Sequence, residues 1–188
     1  FAITDPTADR TITFPDASVT LGAAGTNVPQ FSVYMSADMA VAYDTFTVCA
    51  FDTADINDDG ASGTCVNITA SGTNPRGFTV PAGEAGKYSL SYWVMNNTAA
   101  SATIMNSYAT FYWATSGGTP ANKWTYGYFS EGATITALGY QHASTIIADL
   151  AVGDSVYVYG RIATDGSSTN GRVQGGSTAT RFSGFKLL

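Results

Sequence analysis

The stretch that decides the fold is RFSGFKLL, Arg181 to Leu188. It crowds Phe182, Phe185, Leu187 and Leu188 onto a segment near the chain end, where order is normally lost unless something ties the backbone down. Four large apolar side chains in eight residues therefore predict a closing β-strand, buried in the middle of a sheet or between subunits.

Strand signals run outward from that end. Ser155 to Arg161 places Val156 and Val158 on one face and Tyr157 and Tyr159 on the other. Tyr88, Leu90, Tyr92 and Val94 alternate with Ser89, Ser91 and Trp93, and Phe46, Val48 and Ala50 share one face of TFTVCAF (Thr45 to Phe51). A period of two in β-branched and aromatic residues marks strands. Aromatics on both faces predict strands covered on both sides, by a second sheet and by a neighbouring subunit. Ser116-Gly117-Gly118, Gly166-Ser167-Ser168 and Gly175-Gly176 punctuate the strands as loops. No segment combines helical periodicity with caps, so the fold class is all-β, a sandwich or jelly roll.

Three segments in order, RGFTVPAGEAGKYSLSY (Arg76 to Tyr92), DLAVGDSVYVY (Asp149 to Tyr159) and the terminal F-x-G-F-x-L, resemble the complement C-one-q globular head, a relative of the tumour-necrosis-factor jelly-roll trimer. The resemblance covers residues 29–188 and departs in two places. The family's Phe-Ser-Ala-x-Arg opening is here Phe31-Ser32-Val33-Tyr34, and the Val80 to Gly86 stretch is longer than the usual turn. The resemblance implies a homotrimer whose GD-x-V-x-V and terminal strands lie toward the threefold axis. Tyr157, Tyr159, Phe182 and Phe185 are then expected in the core or the trimer interface.

Residues 1–28 differ in character. Two short strand-like runs, Arg10 to Phe14 and Ser18 to Leu21, flank Pro15-Asp16 with too little apolar material for a core. This segment resembles the DPTADRTITFPDA stretches of bacteriophage fibre and virion proteins, especially of marine phages. The expected organisation is an extended β neck or fibre-shaft end (1–28) followed by a jelly-roll head (29–188). The start at Phe1 reads as that of a C-terminal piece of a longer polypeptide.

Composition narrows the function classes. Charged residues are 12% of the chain, about half the usual share, so the surface is covered by small polar residues or by other subunits. A net charge of −6 with eight scattered Lys and Arg argues against nucleic acid, which needs clustered cations. No apolar run reaches the ~18 residues of a helical membrane span, so no membrane insertion is expected. Cys49 and Cys65 flank an acidic loop, and either a bridge across it or two buried thiols fits them.

Five groups of residues bear on chemistry or binding. Asp55-Ile56-Asn57-Asp58-Asp59-Gly60 matches the first half of a calcium loop, in which alternating oxygen side chains converge on one hard cation. Val66 stands where the bidentate carboxylate belongs, so Asp55, Asn57 and Asp59 form either a calcium site completed by other groups or a solvated hairpin tip. Trp113 and Trp124, in two aromatic clusters, are candidates for stacking on a sugar, against the alternative of core or interface packing. His142, the one histidine, is expected in a loop or interface, with no nucleophile elbow around any serine. Glu84 and Glu131 lie apart, in glycine-containing turns, and do not form the paired carboxylates of a glycosidase. Asn67-Ile68-Thr69 and Asn96-Asn97-Thr98 match glycosylation acceptors.

The expected function is thus non-enzymatic: the trimeric head of a phage tail fibre, in the virion and extracellular, binding a host surface glycan or protein. Contacts are expected around Ser116 to Asn122 and Asp165 to Ser177. The alternatives are a capsid decoration or head-fibre protein held by other virion proteins, and a secreted C-one-q-like recognition module.

Overall fold

The computed structural model describes residues 28–68, 76–98, 104–122, 127–133, 140–164 and 171–187. The predicted neck, Trp124 and the Gly166-Ser167-Ser168 loop lie outside these residues. Thirteen strands run in chain order: β1 (Gln30–Tyr34), β2 (Met39–Ala40), β3 (Thr47–Val48), β4 (Thr53–Asp58), β5 (Phe78–Thr79), β6 (Gly86–Thr98), β7 (Ile104–Ala114), β8 (Ala121–Asn122), β9 (Gly127–Ala133), β10 (Tyr140–Leu150), β11 (Ser155–Thr164), β12 (Gly171–Val173) and β13 (Arg181–Lys186). No helix occurs among the described residues.

Two sheets form. The first runs β2-β12-β6-β13-β1-β4, with β10 added on the other side of β6. The second runs β3-β11-β7-β8, with β5 on β11 and β9 on β7. The terminal strand β13 sits between β1 and β6, Phe31 opposite Gly184 and Tyr92 opposite Phe182. The apolar terminus is therefore an interior strand, held by ladders on both edges.

Inward side chains of the two sheets make one core. Phe182 is fully buried and its ring lies 4.7 Å from Phe31, 5.8 Å from Phe51 and 6.0 Å from Phe111 of the facing sheet. Tyr92 meets Phe111 edge-on at 4.7 Å, and Phe31 stacks on Phe78 at 4.9 Å. These are the separations at which aromatic pairs add to simple burial. Gly184 is required by close approach, since a Cβ there would lie 2.5 Å from Leu90 Cδ2 and 2.9 Å from the Phe31 ring.

Tyr88, Leu90, Tyr92, Val94, Val156 and Val158 face the core as their alternation predicts. TFTVCAF departs from expectation. Only Thr47 and Val48 pair as strand, and it is Cys49 and Phe51 that enter the core. Phe46 instead packs beside Tyr108 and Tyr112 on the outer side of the second sheet. Both cysteines are free buried thiols, each pushed up to about 12 by burial.

Candidate functional site

The two motif strands do not share a face. β13 belongs to the first sheet and β11 to the second. Tyr157 and Tyr159 are half-buried on the outer side of the second sheet, where Tyr159 packs on Tyr112 at 4.1 Å between ring centres. Phe182 is core, whereas Phe185 points outward and is 39% exposed.

Phe185 marks the surface that stands out. Register places three rows of side chains across the outward face of the first sheet. The middle row is Ile56, Ser32, Ser183, Ser91 and Thr145, each directly opposite the next on adjacent strands. Ser91 and Thr145 share a hydroxyl hydrogen bond of 2.8 Å. On one side lie Gln30, Phe185, Ser89 and Ile147; on the other, Tyr34, Arg181, Trp93 and Ala143. A depression of about 450 Å³ opens here, lined by Ser91, Trp93, Thr145, Arg181 and Ser183 among others. Six large hydrophobic residues are exposed among the described residues, and four of them (Ile56, Trp93, Ile147 and Phe185) are on this one face. Monomeric proteins rarely gather apolar groups this way without a partner.

One ion pair sits within the patch. Arg181 pairs with Asp55, donates to Ser32 Oγ at 2.9 Å, and lies 5.4 Å from the centre of the Tyr34 ring. Asp55 reaches it because β4 carries an extra residue there, the register shifting between Ser32 and Val33. Such a bulge re-aims a side chain.

That bulge separates the proposed calcium ligands. Asp55 turns outward to Arg181. Asn57 straps the loop, its Oδ1 accepting from the amides of Cys65 (3.0 Å) and Val66 (2.9 Å) and its Nδ2 donating to Val66 O (2.7 Å). Asp59 accepts from the Ala61 and Gly63 amides at 2.8 and 2.7 Å, which hold its carboxyl below the usual range. Three side chains expected to converge thus point to three different partners. Among the described residues no three His, Cys, Asp or Glu side chains are placed to share a cation.

Trp113 is also committed inward. It packs against the core, and its Nε1 donates to Asp154 Oδ2 at 3.2 Å. Among the described residues the exposed tryptophan is Trp93, 43% accessible, which the sequence did not single out as a site.

His142 is neither in a loop nor at the surface. It lies in β10, 5% exposed, with Nε2 at 2.7 Å from Ser107 Oγ on β7 of the other sheet. Asn96 Nδ2 also donates to Ser107 Oγ, at 2.7 Å, and to Tyr108 O at 3.1 Å. A Ser–His contact is the arrangement that activates a nucleophile. Here Ser107 is fully buried, so no substrate carbonyl reaches the hydroxyl. Burial pushes the imidazole down to about 4, which keeps it neutral at neutral pH. Asn96 is itself buried, which removes the second glycosylation match, while Asn67 is exposed.

Comparison with solved structures agrees with this geometry. The chain superposes on an Eiger TNF from S. frugiperda with a TM-score of 0.54 and 11% identity, covering 85% of this chain and 92% of that one. It superposes on the globular domain of a zebrafish complement 1qA protein with a TM-score of 0.51 and 12% identity, covering 85% and 98%. The fold is a C-one-q/TNF-type jelly roll. No family model matches the sequence, and no curated protein matches it. At 11–12% identity the shared property is the fold.

Proposed function

We propose that the chain is the head of a homotrimeric, non-enzymatic recognition protein, and that the outward face of the β13 sheet is where its copies meet. The observation that carries this reading is the gathering of Ile56, Trp93, Ile147 and Phe185 on that face. The hydroxyl row between them adds to it. Ser32, Ser183 and Ser91 are short enough for another backbone to approach, and their hydroxyls can exchange hydrogen bonds with it. The fold's use as a trimer in the resembled family points the same way.

The further reading is that the trimer caps a phage tail fibre and binds a host surface glycan or protein. It is supported by the fibre-like wording of Ile3 to Leu21. Three weak sites acting together would supply the affinity through avidity. With one sheet face engaged by sister copies, the receptor contacts fall on the loops and on the opposite sheet.

Light scattering on residues 1–188 tests the assembly, with an expected mass of three times 19.6 kDa. Ile147→Asp, which places a charge at a site 68% exposed, should yield a folded monomer. A folded monomer of the unmodified chain would refute the assembly. Host recognition is tested by binding of the trimer to bacterial cells and to arrays of their surface polysaccharides. Absence of any binding by an intact trimer would refute that part alone.

A further inference from the structure

The edge strand β10 carries the proposed assembly face on one side and a buried titratable group on the other. Gln141, Ala143, Thr145 and Ile147 point outward, and His142, Ile146, Ala148 and Leu150 point inward. Among the described strands β10 hydrogen-bonds only with β6, so the rest of its hold comes from inward contacts. His142 makes a polar one, across to Ser107 on the facing sheet.

Asn96 Nδ2 donates to Ser107 Oγ, and the same oxygen meets His142 Nε2 at 2.7 Å, the direction of that second hydrogen bond following the ring tautomer. Asn96 cannot reverse its amide without turning Oδ1 onto Tyr108 O. A second proton on the ring therefore places a cation in a site 5% exposed.

Among the described residues no carboxylate is paired with the ring. β7 carries no ionised residue, and its titratable groups are Tyr108 and Tyr112. β6 carries Lys87, Tyr88 and Tyr92, with Lys87 at the far end opposite Asp149 of β10 and the Tyr92 hydroxyl donating to Ala109 O at 2.8 Å. β10 itself adds Tyr140 and Asp149. β9 carries Tyr128 and Glu131, the latter at the register shift between Ile104 and Asn106 of β7.

We propose that protonation of His142 loosens β10 and so dismantles the assembly, making it an acid-released trimer. The inference rests on the assembly reading above. It adds that the strand bearing Ile147 and Thr145 is held in line with Trp93 and Ser91 only while the imidazole is neutral. Acid that charges the ring then disorders the face without any ionisable group within it having to change.

The test is the assembly constant of residues 1–188, measured by sedimentation at pH 7.5, 6.0, 5.0, 4.5, 4.0 and 3.5. Because His142 is the one histidine, its ring C–H signals report its titration unambiguously by NMR in the same samples. The expected result is dissociation whose midpoint tracks that titration, with affinity falling at least about tenfold per association step. His142→Gln, or His142→Asn if the first fails to assemble at pH 7.5, should change less than about twofold over the same range. Glu131→Gln should dissociate like the unmodified chain. A trimer intact at pH 3.5 with a charged ring, a dissociation midpoint away from the ring titration, equal acid lability of the His142 variants, or loss of the lability in Glu131→Gln would each overturn the proposal. A monomer already at pH 7.5 is a different result, and refutes the assembly itself.

Discussion

Replacing Phe182 and Phe185 separately by alanine distinguishes the two faces of the terminal strand. They stand three residues apart on the same strand, are chemically identical, and differ in direction. Phe182 is fully buried and packs on three rings from β1, β7 and the Phe51 segment, so Phe182→Ala removes a ring from a core that cannot collapse around the gap. Such truncations cost about 3–5 kcal/mol. Phe185 keeps 39% of its surface in the monomer, and its removal there should cost about 1 kcal/mol. Both are best measured in the Ile147→Asp background, because assembly would otherwise add a concentration-dependent term. The assay is urea unfolding followed by tryptophan fluorescence, with slopes compared to confirm a common transition. In the assembling chain the order should invert: Phe185→Ala weakens the trimer by light scattering while leaving each head folded. Equal costs for the two substitutions in the monomer, or a Phe182→Ala cost under about 1 kcal/mol, would refute the assignment of inward and outward faces.

The remaining predictions concern stability and chemistry. In the monomeric background the head should lose stability in acid through His142. Its folded pKa of about 4 lies below the unfolded 6.5, so the unfolded chain binds the extra proton. The contribution is full above pH 6.5 and falls toward pH 4 by about 3 kcal/mol at ~1.4 kcal/mol per unit. Urea midpoints at pH 7.5 and 4.5 should differ less in His142→Gln than in its parent, and equal differences would sink the idea. Gly184→Ala should destabilise by about 1–3 kcal/mol, because its methyl group collides with Leu90 and Phe31; an unchanged urea midpoint would show that the two layers can part there. Cys49 and Cys65 should resist a thiol reagent in the folded head and react fully in denaturant, since both are buried and poorly ionised. Rapid labelling of either in native buffer would contradict this.

Much of the fold was legible because period-two alternation is a local signal. Tyr88 to Val94 and Val156 to Tyr159 each announce an inner and an outer face, and the structure orients both accordingly. Alternation does not say in which sheet a strand lies. Tyr159 and Phe185 therefore looked like neighbours at one axis although they are in different sheets. The site was harder to read for the same reason. The row Ser32, Ser183, Ser91 and Thr145 draws on four strands scattered over more than half the chain, and only register brings it together. The acidic loop left two readings open because no spacing announces the extra residue in β4 that turns Asp55 to Arg181. His142 and Ser107 likewise meet across sheets, and no spacing in the sequence announces the contact.

The placement of β13 between β1 and β6 sets the order in which the molecule can be made. Phe31 finds its ladder partner in Gly184, almost the whole domain away. While the chain is emerging from a ribosome, the first strand waits beside a gap, and neither it nor β6 can complete the sheet until Arg181 to Lys186 has been released. Pairings over such distances fold slowly because loop closure precedes the contacts that reward it. The nascent head must keep Phe31, Leu90 and Tyr92 from other chains until β13 arrives. A stop codon or frameshift just before Arg181 would thus yield an open sheet with two unsatisfied edges, prone to pair with its sisters in the wrong way.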